Sequence, residues 1–388
     1  MNPVETITSL TRYQAPLNAF LPEEHDRWHQ YAQRSVAQKQ QEDHEIIAAF
    51  RLLNRHEAEV LARYALSLYD ERLHIAIFLP CQLLTQIASF VDGGLQGIYS
   101  DILERGITFL PALYRGADAT TRDALLKHIQ TMAQDTYDFG RHVDAFAWIG
   151  DGAVQQHIMQ WRTNPPPWHA FRHMNFSHFE TEAGWELTVA GDRRDLYFAQ
   201  AYELIAREPS HLEAPVAPLG AHCGWCGRDL EVLFDLNLTD VRLHFLDLQG
   251  SRLRIAYCPQ CSWYKHLYTD IDFDGQVSWS QDNEPLQHDD DITSWQPLSL
   301  RGKTLVLGSL RRTPFELQGA LFASPCSQLG GSPSWVQWAT FPPCPSCTRR
   351  MMYLGQVETT DVIDQGEGVT FGFLCVECRK ATTLFQQT

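Results

Sequence analysis

The sequence predicts an α+β fold, helical in its front part and β-rich behind, on three observations. Apolar residues fall at helical spacing through residues 1–164, the hydrophobic period changes to two after Cys223, and eight of the ten cysteines form four Cys-x-x-Cys pairs. The expected organisation is an α-helical domain over 1–164, a mixed connecting segment over 165–222 and a β-rich domain over 223–388.

Each part follows from residues. Ile46, Ile47, Phe50 and Leu53 mark one helical face, and Val60, Leu61, Tyr64, Ala65 and Leu68 another. Thr120 or Thr121 is the expected cap of a helix carrying Leu125, Leu126, Ile129 and Met132, and Asp151 that of a helix carrying Val154, Ile158 and Trp161. Pro165-Pro166-Pro167 ends the last of these, because proline lacks the N–H that a helix interior needs. Glycine-bearing turns between short amphipathic helices suggest stacked hairpins, and Ala145–Asp151 resembles the joint of a HEAT-type repeat, although no fixed period recurs. In the connector, Trp185–Val189 reads as a strand, Gly191-Asp192 as a turn and Asp195–Ile205 as a further helix. Pro209–Gly220 reads as the main boundary. Beyond it, Glu231–Phe234, Arg242–Leu246, Arg252–Tyr257, Gln276–Trp279 and Thr304–Leu307 read as strands of an antiparallel sheet.

The cysteine spacing carries the chemistry. Two thiolates separated by two residues turn tightly onto one tetrahedral ion, and two such pairs close a four-thiolate site. Cys223/Cys226 and Cys258/Cys261 are separated by 31 residues, and Cys344/Cys347 and Cys375/Cys378 by 27, gaps that suit zinc ribbons. The expectation is two structural Zn²⁺ sites, paired sequentially. The two units also repeat one plan, in which a knuckle leads into an apolar strand and a second apolar strand runs back into a knuckle. A redox dithiol would come as a single pair beside a βαβ unit, and a catalytic zinc would keep an open position. Cys81 reads as core, and Cys326 is left over.

Other candidates are weaker. Asp270-Ile271-Asp272-Phe273-Asp274-Gly275 opens like a calcium loop, but position twelve is Gln281 rather than a glutamate, so a hairpin turn is expected. His169 and His173 lack the glutamate of a zinc-protease helix. His178, Glu180 and Glu182 are the one visible acid/base grouping, and Asp289-Asp290-Asp291 reads as a solvated loop or a docking patch for a basic partner. Trp225, Trp263 and Trp335 beside the knuckles read as ribbon core. No catalytic residues are expected.

The net charge is −16, with 28 acidic against 18 basic residues over 1–222 and 19 against 13 over 223–388. Such a surface repels phosphate backbones and favours a basic partner. The start Met1–Thr6 lacks the features of a secretory signal, and no run of about 18 apolar residues occurs, so a cytoplasmic chain without a membrane span is expected. A reducing compartment agrees with metal-bound rather than disulfide-bonded cysteines.

The last sixty residues carry a recognisable order. Gly330-Gly331-Ser332-Pro333-Ser334-Trp335-Val336-Gln337 precedes Cys344-Pro345-Ser346-Cys347, then Leu354-Gly355-Gln356 and Cys375-Val376-Glu377-Cys378. This resembles the C-terminal part of the YwqG-like bacterial family, convincingly over 325–388 and at most over 223–388. The family brings no established catalytic residues. A helical front joined to a YwqG-like back is similar to immunity proteins encoded beside polymorphic bacterial toxins. The resemblance therefore implies an immunity protein that binds a cognate toxin and covers its active site. The alternatives are a zinc-ribbon nucleic-acid-binding module, for which only Arg311-Arg312, Arg349-Arg350 and Arg379-Lys380 offer local positive charge, or an enzyme using polar residues of 169–195.

Overall fold

The computed structural model describes residues 2–14, 36–71, 78–132, 137–166, 177–207, 219–263, 265–285, 299–300, 303–318, 326–363 and 367–387. The fold is α+β, as expected. The chain divides into two units, Met1–Arg194 with Phe315–Ser324, and Asp195–Pro314 with Pro325–Thr388. The segment 165–222 is therefore shared out: the part through Arg194 belongs to the helical unit, and the part from Asp195 belongs to the β unit. The Asp289–Asp291 run and most of Pro209–Gly220 lie outside the described residues.

The helical unit contains α1 (Pro3–Gln14), α2 (Val36–Leu52), α3 (Arg55–Asp70), α4 (Phe78–Phe90), α5 (Tyr99–Glu104), α6 (Ala119–Thr131), α7 (Tyr137–Ile149), α8 (Gly152–Thr163) and α9 (Ser177–Glu182). Capping fixes where several begin. Asn54 and Glu57 form a reciprocal capping box at α3, and Asp151 accepts the Val154 N–H at α8. At α6 the cap is Asp118 rather than Thr120 or Thr121, because its carboxylate accepts both the Thr121 N–H and the Thr121 hydroxyl. The helices pack as neighbours, α3 on α4 and α6 on α7. They bury Ile46, Phe50, Leu61, Leu125, Ile129, Val154 and Ile158, with Cys81 fully inside, whereas Val60 faces solvent. The segment that starts at Phe315 also belongs here. The Phe315 ring meets Trp148 edge-on under the Arg115 guanidinium, Glu316 pairs with Arg51 at 2.7 Å, and Gln86 donates to the carbonyls of Glu316 and Gln318. Nothing in the local sequence around Phe315 signals that placement.

The short strands β1 (Trp185–Leu187) and β2 (Arg193–Asp195) pair with each other. The rest are β3 (Phe198–Arg207), β4 (Glu231–Asn237), β5 (Arg252–Tyr257), β6 (Leu267–Ile271), β7 (Val277–Trp279), β8 (Thr304–Arg312), β9 (Gln328–Gly331), β10 (Met352–Glu358), β11 (Val369–Cys375) and β12 (Lys380–Gln386). Eight form an antiparallel sheet in the order β7-β6-β12-β11-β10-β9-β3-β8, and β4 and β5 form a separate hairpin. Two sequence expectations are corrected here. Asp195–Ile205 contributes to β3 and not to a helix, because its backbone groups are held on both sides by β8 and β9. Arg242–Leu246 lies in a 3-10 helix, Val241–Leu246, because Asp240 accepts the Arg242 N–H and starts a turn.

The sheet has two covered faces. On one, Trp335 packs against Phe371 at 4.8 Å and Phe341 at 5.3 Å, with Phe373 and Tyr353 beneath. Two buried glutamines hold the loop that carries Trp335. Gln356 accepts the Ser334 N–H, while Gln386 accepts the N–H groups of Val336 and Gln337 and donates to the Trp338 carbonyl. These bonds give the Pro-x-Trp-x-Gln and Leu-x-Gln segments a structural reason, since irregular buried backbone must find partners. On the other face, Phe234 of the β4–β5 hairpin lies over Gly355 and Gly372. A Cβ at Gly372 would meet the Phe234 ring at 2.7 Å, and one at Gly355 would meet it at 3.2 Å.

At the end of β10, Glu358 and Asp361 sit together beside Ser327, whose N–H and hydroxyl both donate to Asp361. Burial, then the nearby Asp361 charge, pushes the Glu358 carboxyl up to about 7. Two predictions follow from this packing. Phe234→Ala should cost about 3–5 kcal/mol in chemical denaturation, because the glycines beneath cannot refill the space. The Glu358 contribution is present below the ordinary carboxylate pKa near 4.5 and is lost as pH rises through about 7. Glu358→Gln should therefore match the parent at pH 4 and exceed it at pH 8, by at most about 3 kcal/mol; equal stability at both pH values contradicts the assignment.

Candidate metal centres

Each centre is built by a hairpin that holds two knuckles together. In the first, β4 leaves Cys223/Cys226 and β5 returns into Cys258/Cys261. In the second, β10 leaves Cys344/Cys347 and β11 returns into Cys375/Cys378. The ligand atoms of Cys223, Cys226, Cys258 and Cys261 lie within 4.8 Å of one another, as do those of Cys344, Cys347, Cys375 and Cys378. The cysteines thus group in the sequential pairing that the spacing predicts.

The hairpins repeat each other in detail. In each first knuckle the leading cysteine donates its N–H to the arginine carbonyl five residues on, Arg228 or Arg349, and accepts the N–H of the residue after the knuckle, Gly227 or Thr348. Both of those residues have positive φ, +74° at Gly227 and +62° at Thr348. The register then breaks at matching places, between Val232 and Phe234 in one hairpin and between Tyr353 and Gly355 in the other. The glycines that receive Phe234 are thus the counterparts of Phe234 and of its partner Ile255. One ribbon carries the side chain, and the other leaves room for it.

The sulfur geometry fits a four-coordinate metal. A tetrahedral centre with metal–sulfur bonds of about 2.3 Å places its sulfurs about 3.8 Å apart. The Cys226–Cys258 sulfurs lie 3.5 Å apart and the Cys347–Cys375 sulfurs 3.8 Å apart. A disulfide would need about 2.05 Å, and none of the eight knuckle cysteines forms one. Four thiols at this spacing cannot all ionise without a cation. Hydrogen bonds from Cys258 and Cys261 pull Cys223 down to about 4, and the same bonds push Cys258 and Cys261 up. At the second centre burial raises Cys347, but hydrogen bonds from the Arg349 backbone and guanidinium outweigh it and bring the thiol down to about 6; burial pushes Cys375 up. Each group could therefore hold one metal ion, which would draw off the remaining thiol protons.

The other sequence candidates fall elsewhere. His169 and His173 lie outside the described residues. Glu180 is fully buried and takes two hydrogen bonds from Arg162, at 2.6 and 2.7 Å, and one from the Leu187 N–H. It clamps α8, α9 and β1 together, and His178 approaches Glu182 only at 3.8 Å. Asp272 accepts the N–H groups of Asp274 and Gln276 in the β6–β7 turn, with Gly275 at φ +92°, the hairpin expected there. Trp225 meets Trp279 at 5.1 Å and Trp263 meets Phe385 at 4.0 Å, both edge-on, so the tryptophans beside the knuckles pack within the β unit. The Glu358/Asp361 pair was not visible in sequence, because two acids three apart carry no signal until burial brings them together.

Cys344→Ser should remove one of the metal ions that the two groups could hold and loosen the chain from that knuckle through β12. Structural thiolate centres supply on the order of 10–16 kcal/mol of apparent folding free energy. Elemental analysis and hydrogen exchange check this; unchanged metal content and protection would refute the assignment.

No protein-family model and no solved structure matches the chain significantly. It is similar to the uncharacterized protein YpfL of Salmonella typhimurium strain LT2, with 31% identity over 351 residues that span 87% of this chain and 79% of YpfL. At that identity over that share of both proteins, the chain belongs to the same family as YpfL.

Proposed function

We propose that the chain is a zinc-scaffolded immunity protein, which binds a cognate antibacterial toxin carrying a basic surface and covers its active site in the cytoplasm. The observation that carries the reading is the net charge of −16. An inhibitor of a basic enzyme gains association rate and selectivity from opposite charge. The resemblance of 325–388 to YwqG-like domains, and of the whole layout to immunity proteins, points the same way.

Zinc is the metal that best suits the centres. Four thiolates at tetrahedral spacing leave no open position, which is the donor set of a structural rather than a catalytic zinc. With zinc bound, four thiolates (−4) around one Zn²⁺ (+2) leave each centre at a net −2, so loading deepens the acidity.

The nucleic-acid reading is disfavoured by the same electrostatics. Its candidate cations are largely engaged: Arg349 pairs with Glu377 at 3.1 Å, Lys380 with Asp270 and Asp282, and Arg312 is buried. Arg350 donates to the Phe341 carbonyl, and Arg379 lies over the Phe273 ring.

The test is to co-express this protein with the toxin domain encoded beside its gene. The expected result is growth rescue together with a stable complex whose association slows by about tenfold or more as salt rises. No rescue would contradict the proposal. Rescue without a complex would favour an enzyme that reverses the toxin's modification, and retention on duplex at physiological salt would favour the nucleic-acid module.

A further inference from the structure

The two ribbons share a plan but differ at the residues that hold each knuckle closed. In the first centre Cys223, Cys258 and Cys261 are buried and only Cys226 is part-exposed; in the second, both Cys347 and Cys378 are part-exposed. The turn after the first knuckle uses Gly227 at φ +74°, a conformation that glycine adopts freely. Its counterpart is Thr348 at φ +62°, a β-branched residue where such values are rare and strained. After the returning knuckle, Ser262 has ordinary backbone, and its hydroxyl accepts the Cys258 N–H. The counterpart there is Arg379, again with a positive φ, +52°. Gln260, neutral and buried, corresponds to Glu377, whose side chain is 60% exposed and whose carboxylate lies 3.7 Å from the Cys375 sulfur. Trp225, which packs on Trp279 and donates to the Glu284 carbonyl, corresponds to Ser346, which makes one hydrogen bond to Asp282.

These differences act in one direction. Two strained residues make the second pair of knuckles depend on an ion to stay closed, and a carboxylate beside an anionic metal–thiolate group repels it. One feature opposes them, the Arg349 guanidinium on Cys347. That guanidinium is half exposed and shared with Glu377, so solvent screens it.

We propose that the second centre, Cys344/Cys347/Cys375/Cys378, is the exchangeable metal site of this protein, and that the first, Cys223/Cys226/Cys258/Cys261, is permanent scaffold. Metal leaves the second centre first, under chelation or thiol-directed reagents, and its return closes the knuckles again. The assignment rests on the reading that both groups hold zinc.

The test uses the full chain loaded with zinc and first counted by elemental analysis. A chromogenic chelator then follows release while a thiol-alkylating reagent marks freed cysteines for mass spectrometry. The expected result is two ions per chain leaving in two phases, with Cys347 and Cys378 alkylated in the first and Cys223, Cys258 and Cys261 only in the second. Thr348→Gly should slow the first phase on the order of tenfold, and Glu377→Gln should slow it in the same direction. Gly227→Thr should speed the second. Two ions released in one phase, alkylation of the first centre before the second, or an unchanged first phase in both Thr348→Gly and Glu377→Gln would overturn the assignment while leaving the zinc reading intact. A chain that binds no metal would overturn both.

Discussion

Eight sulfurs crowded into two groups set the terms for the β unit. In each group one pair of sulfurs across the two knuckles sits 3.5 or 3.8 Å apart, a distance at which several thiolates coexist only around a cation. Meeting that condition brings together residues separated by 31 or 27 positions, and each hairpin is what bridges the gap. The strands leaving and entering the knuckles are therefore also the strands that build the core. Cys375 ends β11, a central strand of the eight-stranded sheet in which every residue is buried. Cys258 follows β5, whose partner strand supplies Phe234.

From that constraint the packing between the ribbons follows. Two copies of one hairpin cannot interlock if both present a bulky side chain at the same place. Here the first keeps Phe234 and Ile255, and the second has Gly355 and Gly372 at the corresponding positions. The same asymmetry runs through the knuckles, where Gly227, Gln260 and Ser262 have Thr348, Glu377 and Arg379 as their counterparts in the second ribbon. Divergence of this kind lets one centre serve packing while the other answers to the solvent. The net charge of −16 and the intrachain pairing of Arg349 and Lys380 are the features behind the proposal of a basic protein partner rather than a phosphate backbone.

Much of this was legible in the sequence because spacing rules act locally. Cys-x-x-Cys fixes a knuckle, alternation marks β4, β5, β7 and β8, and Asp151 announces its helix. What stayed hidden depends on residues distant in the chain. The strand over Phe198–Arg207 carries a pattern compatible with a helix, and only its pairing with β8 and β9 decides the matter. Arg242–Leu246 alternates like a strand until Asp240 turns the backbone. The capture of Phe315 and Glu316 among the helices rests on Arg51, Gln86, Arg115 and Trp148, each more than 160 positions away. The raised Glu358 carboxyl arises from burial beside Asp361, which no count of acidic residues foretells.

Each thiolate group is proposed to enclose one zinc ion with no other donor. X-ray absorption at the zinc edge of the purified chain measures the donor set directly. Four sulfurs at about 2.3 Å with no lighter donor are the expected result. A shell containing nitrogen or oxygen ligands, or protein that retains no zinc when purified without chelator, would contradict it.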